Sequence, residues 1–441
     1  VETDNSMNVR ALIIASSALW AVYVAPASAA PEEPAWVASW ATALQSIPDL
    51  LNPPALYRAP DVAGRTLREV VYPTVSGTEA RLHISNAYGR GALVLERVGI
   101  AESGGGAALR AGTSVAVTFG GRPGLSLAPG EAIDSDPIQI QMRAGEPYAV
   151  SLLAGPRQTL TAWHRVAGQI NYVSEAGDHV SDAQALSYKI RFTESAWVTG
   201  VDVRGVRAAA EPTGAVAAIG DSITDGMRST LNKNRRWPDG LARRLAGTGQ
   251  SSTAVLNLGI SGNRLLSDSA CYGEALAGRF ERDALGHPGV RAVILLIGIN
   301  DINFAAMPAR AGLDCDAPHR VVTANDLIDG YRRLIDRAHR RGIRVLGGTL
   351  TPASLPAERE RIRNAVNQWI RGGGAFDGVI DFDTALRDPA HPDTLQRRFD
   401  SGDHIHPSDE GYAAMADAVP GPTLAAALGT AVRGVPRGVP Q

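Results

Sequence analysis

Two hydrophobic periods meet near residue 214, and they constrain the fold more than any other feature of this 441-residue chain. From about Trp36 to Val206 the apolar residues alternate. EARLHIS sets Ala80, Leu82 and Ile84 on one side, and SVAVTF does the same with Val115, Val117 and Phe119. IQIQM repeats the pattern with Ile138, Ile140 and Met142, and YKIRF with Tyr188, Ile190 and Phe192. Period-two runs separated by Gly, Pro, Asn and Asp clusters predict antiparallel sheets with one wet face, so an all-β sandwich or jelly-roll domain over residues 36–206. No helix of ordinary length is expected in this half.

After RGVRAAAEPTG, read as a linker over 207–213, the rhythm changes. AVAAIG, TAVLNLG, RAVILLIG, IRVLGGTL and GVIDF are short apolar runs, with segments of helical period between them at Ala324 to Arg340 and Ala357 to Arg371. Strands buried on both faces and alternating with helices predict a parallel sheet in a three-layer α/β domain over 214–428. The length also exceeds what one hydrophobic core ordinarily supports, so two domains are expected. The last residues, 429–441, read as a flexible tail.

With 44% hydrophobic and 20% charged residues and a net charge of -2, the composition is that of a globular protein rather than a disordered one. No basic run is interleaved with aromatics, which argues against a nucleic-acid partner. Residues 1–30 follow the plan of a secretory signal. A positive charge at Arg10 precedes the apolar run Ala11 to Ala25, and PASAA supplies small residues for cleavage after Ala29 or Ala30. The run is shorter than the roughly 20 residues that span a bilayer, so export to the periplasm or medium is expected, with no stable membrane insertion after cleavage. In an oxidising compartment the two cysteines, Cys271 and Cys315, are expected to form a disulfide.

In a parallel sheet of this kind, reacting groups collect where the carboxyl ends of strands meet their exit loops. The first such end carries Gly220, Asp221 and Ser222, within VAAIGDSITDG; the second runs into Gly262 and Asn263; the third delivers Asn300 and Asp301. Far downstream, SGDHIHPSDEGY supplies Asp403, His404 and His406 ahead of a helix that Ser408 caps and Tyr412 continues. Gly, Asp and Ser are also ordinary turn residues, so Gly220–Ser222 by itself reads first as a polar turn. Taken together, the four segments suit acyl transfer. A serine hydroxyl needs an imidazole to take its proton, and the imidazole needs a carboxylate to hold its tautomer. Asp403 and His406 are three residues apart, so one loop can carry both, whereas His404 is adjacent to Asp403. The backbone N–H groups of Ser222 and Gly262 and the side-chain amide of Asn300 are candidate donors to an oxyanion.

GDSIT, GISGN, GIND and DHIHP, in that order, resemble the GDSL or SGNH hydrolase superfamily over about residues 214–425. The resemblance implies a flavodoxin-like α/β/α fold and a serine esterase or acylhydrolase activity. By residue it implies Ser222 as nucleophile and first oxyanion donor, Gly262 and Asn300 as further donors, His406 as base and Asp403 as its partner. WVASWATA and RLHISNAYG in the first half are similar to the leading β region of a secreted two-domain arylesterase or acylhydrolase branch. Thr224 stands where a G-x-S-x-G elbow demands Gly, which argues against the α/β-hydrolase fold. Asp221 and Asp301 are expected to hold loops through backbone hydrogen bonds. No metal or organic cofactor is expected, since Asp403, His404 and His406 lack further ligands at recognisable spacing. The expected partner is a small-molecule or carbohydrate ester; no oligomeric state is read from the chain. A different reading is a secreted carbohydrate-binding protein with a non-catalytic scaffold, in which Trp36, Trp40 and Trp163 stack on sugars, although buried aromatics are the commoner case.

Overall fold

The computed structural model describes residues 1–2, 35–205, 214–247, 252–309 and 314–429. Residues 3–30 of the signal segment, the linker 207–213 and the tail beyond Gly429 lie outside the described residues.

Residues 37–204 form two larger antiparallel sheets and a two-stranded ribbon, and their only helices are two single 3-10 turns, Ala55–Tyr57 and Ala185–Ser187. The alternation works as its period requires: Ala80, Leu82 and Ile84 are buried, and Ile138–Met142 strictly alternates buried and exposed residues. Ile190 departs from the expectation and is exposed. Ile190 pairs in register with the buried Val173, but Tyr188–Phe192 is an edge strand with a neighbour on one side only, which leaves Ile190 open to solvent. The ribbon pairs Gln45–Ser46 with Ala162–Trp163.

All five apolar runs of the second half are strands, here β1 (Gly214–Gly220), β2 (Thr253–Gly259), β3 (Val290–Leu296), β4 (Arg344–Gly348) and β5 (Gly378–Ile380). They form one parallel sheet in the order β2-β1-β3-β4-β5. This is a doubly wound order that changes direction at β1, and in open sheets of this order ligands bind beyond the carboxyl ends of the strands at that switch, here β1 and β3. Gly220 pairs with Gly259 on one side and Leu296 on the other, which brings three strand ends level. The expected helices are observed at Ala324–His339 and Ala357–Gly372. The first is closed by a capping box between Thr323 and Asp326 and buries Leu327, Tyr331, Leu334 and Ala338 at helical spacing.

One buried apolar cluster runs through both halves, from Val37 to Leu428. The strand Val37–Ala41 lies against the parallel sheet, where the Ala38 N–H donates to the Pro288 carbonyl at 2.9 Å. Nearby, the Val255 N–H donates to Thr74 Oγ1 at 3.1 Å. Among the described residues no helix is long and apolar enough to cross a membrane.

Candidate active site

Ser222 opens a single helical turn, α1 (Ser222–Asp225), immediately after β1. Asp221 caps that turn, its carboxylate accepting the Ile223 N–H at 3.0 Å. The cap leaves the Ser222 N–H without an acceptor inside its own helix, as the first position of a helix always is. The same turn directs the buried Ser222 hydroxyl toward His406, so the turn and the candidate nucleophile belong to one feature.

His406 arrives from the far end of the sequence and brings Nε2 to 2.8 Å from Ser222 Oγ. Its Nδ1 lies 2.9 Å from Asp403 Oδ2, while the other oxygen of Asp403 accepts the backbone N–H groups of Ile405 and His406 at 3.1 and 2.8 Å. Partial burial works to raise the Asp403 pKa, but the hydrogen bonds from the His406 N–H and ring and from Ile405 outweigh it and hold the carboxyl well below its usual range. An ionised Asp403 can only accept, so Nδ1 carries a proton and Nε2 is left to accept the serine O–H. His404 turns away with φ +65°, and its exposed ring meets Asp400 at 2.6 Å. The structure therefore brings together Ser222, His406 and Asp403 and leaves His404 outside.

The helix that follows, Asp409–Ala418, is capped by Ser408, which accepts the Gly411 N–H at 3.2 Å. Its Tyr412 hydroxyl donates to the Met227 carbonyl at 2.8 Å, joining the histidine loop to the chain just beyond Ser222.

Gly262 sits in the β2 exit loop with φ +83°, and a Cβ there would come within 2.2 Å of the Tyr272 ring. Backbone conformation and space both demand glycine. Asn300 is buried, and its Nδ2 donates to the Asn263 carbonyl at 2.9 Å, which leaves the second hydrogen of the amide uncommitted by that bond. Asn263 in turn donates to the carbonyls of Tyr272 and Glu274 and accepts from Arg279 Nε at 3.0 Å. Arg279, fully buried, also donates to the Leu258 and Gly220 carbonyls, both at 2.9 Å, and so ties the ends of β1 and β2.

Asp301 holds its loop by accepting from the N–H groups of Leu265 and Leu266 at 2.8 and 3.0 Å. Burial pushes Asp301 up to about 6, and burial aided by the nearby Asp301 and Asp225 pushes Asp221 up to about 7, against the pull of their backbone donors. Both fasten their loops through backbone N–H groups, as expected. Cys271 and Cys315 form the disulfide, with Cα atoms 5.2 Å apart. Among the described residues no group of three or more His, Cys, Asp or Glu could hold a metal ion.

Three contributors were not legible in the sequence. Arg228 donates from Nε to Asp403 Oδ2 at 3.0 Å, sharing the oxygen that faces His406. Arg279 lies in a helical segment with no marker of its role. His164, in the β half, reaches Asp225 in α1 with Nε2 3.0 Å from Oδ1. The tryptophans do not form a platform: Trp163 is buried, Trp40 is half-buried, and the Trp36 ring is covered by the guanidinium groups of Arg81 and Arg204.

Residues 218–414 match the profile of the GDSL-like lipase/acylhydrolase family. No curated protein matches the chain. Solved structures similar to it include a catalytic mutant of an acetylxylan esterase from Geobacillus stearothermophilus, 19% identical over 52% of this chain and 100% of that one, with a TM-score of 0.36. A GDSL-like lipase from Bacteroides thetaiotaomicron is 17% identical over 49% and 93%, at 0.33. A family two carbohydrate esterase from Cellvibrio japonicus is 11% identical over 90% and 96%, at 0.36. The matched segment, residues 218–414, carries Ser222, Gly262, Asn300, Asp403 and His406, so the match assigns a GDSL-like lipase/acylhydrolase domain to that part of the chain.

Proposed function

We propose that this chain is an exported serine esterase that hydrolyses carboxylic esters through an acyl-enzyme. The observation that carries the reading is the unbroken line from Ser222 Oγ through both ring nitrogens of His406 to Asp403, with contacts of 2.8 and 2.9 Å. In the first half-reaction Ser222 Oγ bonds to the acyl carbon while its proton passes to His406 Nε2. The N–H groups of Ser222 and Gly262 and the free hydrogen of Asn300 Nδ2 stabilise the oxyanion. Collapse breaks the bond to the alcohol oxygen, which takes the proton from Nε2. Water then repeats the sequence, giving its proton to Nε2, and releases the acid and the serine.

Short-chain acyl or aryl esters, including acetylated carbohydrate, are the proposed substrates. Residues 214–428, taken as a three-layer α/β/α domain, are the proposed catalytic unit, with residues 36–206 as its β partner. Export is supported by the apolar run Ala11 to Ala25 and by the Cys271–Cys315 disulfide. The test is hydrolysis of a p-nitrophenyl ester series by the mature protein beside a folded Ser222→Ala variant. Ser222→Ala should lose about 10⁴-fold or more in kcat. Equal activity in the two proteins would return Gly220–Ser222 to a turn and bring the carbohydrate-binding reading forward.

A further inference from the structure

The ribbon of the β half ends on the α/β half, at two points that flank Gly262. On one side the Gln45 side chain donates to the Cys271 carbonyl at 2.8 Å, next to Tyr272, whose ring occupies the space a Cβ on Gly262 would need. On the other side His164 reaches α1. Its backbone is locked to Ser195 by a reciprocal pair of hydrogen bonds of 2.8 and 3.0 Å. Its ring is buried, with Nδ1 at 2.9 Å from the Ala43 carbonyl and Nε2 at 3.0 Å from both the Val166 carbonyl and Asp225 Oδ1. Each ring nitrogen thus faces an acceptor, and the imidazole has one available orientation.

Asp225 divides its two oxygens between the halves of the molecule. Oδ1 takes His164, and Oδ2 accepts both the N–H and the hydroxyl of Ser261 at 2.9 and 2.6 Å. Ser261 is the residue before Gly262, and Asp225 is the last residue of the turn that Ser222 begins. One buried carboxylate therefore fixes the loop carrying the Gly262 N–H relative to the turn carrying the Ser222 hydroxyl. His164 fixes that carboxylate from outside the α/β half.

We infer that His164 is a positioning residue of the esterase, and that the β half sets the oxyanion-binding loop through the His164–Asp225–Ser261 link. The inference rests on the reading of Ser222 as nucleophile and Gly262 as oxyanion donor. Because a donor displaced by about 1 Å costs on the order of 100-fold in rate, loss of the link should act on kcat and on tetrahedral binding more than on substrate affinity.

The experiment compares His164→Leu, which fills the space without donating, with His164→Gln, which keeps a donor toward Asp225. Each is assayed on p-nitrophenyl acetate with active sites counted by an organophosphate, and each is titrated with phenylboronic acid as a tetrahedral adduct. His164→Leu should lower kcat per active site by about 10- to 100-fold and weaken the boronic acid by a similar factor, with KM within about threefold. His164→Gln should recover most of both. A His164→Leu protein with kcat within twofold of wild type, equal deficits in the two variants, or a His164→Leu chain that fails to fold beside a fully active His164→Gln would overturn the inference. If Ser222→Ala keeps wild-type activity, the esterase reading itself fails, and that result is independent of position 164.

Discussion

Gly262→Ala has two separable consequences, because the residue holds φ +83° and its missing Cβ would lie 2.2, 2.5 and 2.6 Å from three atoms of the Tyr272 ring. An ordinary carbon–carbon contact is about 3.5 to 4.0 Å, so a gap of roughly 1.5 Å must open. Placing a residue with a Cβ in the left-handed region costs about 1 to 2 kcal/mol, and overpacking adds about 1 to 3. The expected loss of stability is therefore about 2 to 5 kcal/mol. The ring has little freedom to retreat, since the Tyr272 carbonyl is held by Asn263 at 3.0 Å and the neighbouring Cys271 is in the disulfide. Most of the displacement then falls on the Gly262 backbone, and the N–H proposed as an oxyanion donor moves with it. A shift of about 1 Å predicts a fall in kcat near 100-fold, with a larger fall if the donor is lost altogether. Urea unfolding measures the first effect and hydrolysis of p-nitrophenyl acetate the second. Adding Tyr272→Ala removes the clash but not the backbone strain, so the double variant should regain most of the activity while staying about 1 kcal/mol less stable than Tyr272→Ala alone. If Gly262→Ala keeps kcat within threefold of wild type, the Gly262 N–H is not aimed at the reacting centre. If the double variant is no better than the single one, the ring is not what displaces the loop.

The Cys271–Cys315 bond closes a separation of 44 residues and restricts the unfolded chain by up to about 4 kcal/mol. Ser269 Oγ also donates to the Cys315 carbonyl at 2.9 Å, and Arg264 to the Asp316 carbonyl at 2.8 Å, so the two loops remain tied after reduction. Titration with a reductant should therefore lower activity before near-UV circular dichroism changes, and coincident loss of the two signals would refute a local effect. Asp221 gives a pH dependence of the less usual sign. With its folded pKa at about 7 and an unfolded value near 3.9, the folded chain holds the extra proton between those limits. Its contribution to stability is then fullest below about pH 4 and falls as pH rises through 7. Asp221→Asn, which keeps a cap of equal quality, should gain on wild type by about 2 to 3 kcal/mol between pH 5 and pH 8 in urea unfolding. A pH-independent difference would mean that Asp221 ionises alike in both states.

What could be read from the sequence follows from how far along the chain each signal is written. Strand and helix periods are local, so all five parallel strands and the bounds of the helix Ala324–His339 were legible to within a residue or two. The residues of the candidate site were legible for a different reason. Ser222, Gly262 and Asn300 each follow a strand end, and the parallel order brings those ends level whatever the intervening loops do. Asp403 and His406 were legible because one short loop supplies both. The exposed Ile190 departs from the alternation because its strand lies at the edge of the sheet, and which strand ends a sheet is not written in the local pattern. Arg279 and His164 were missed on the same principle, carried further. A buried arginine that reaches the carbonyls of two strand ends looks like any cation on a helix until the fold turns it inward. His164 stands 61 positions from Asp225 in a segment of strands, where one histidine carries no periodic or motif signal. Its contact with α1 arises only where the two halves meet: the Ala43 and Val166 carbonyls that face its ring belong to the β half, and Asp225 is the acceptor that the meeting adds. The local pattern therefore specifies the groups proposed to react, while the groups that hold them in place are specified by long-range packing, to which the β half contributes His164.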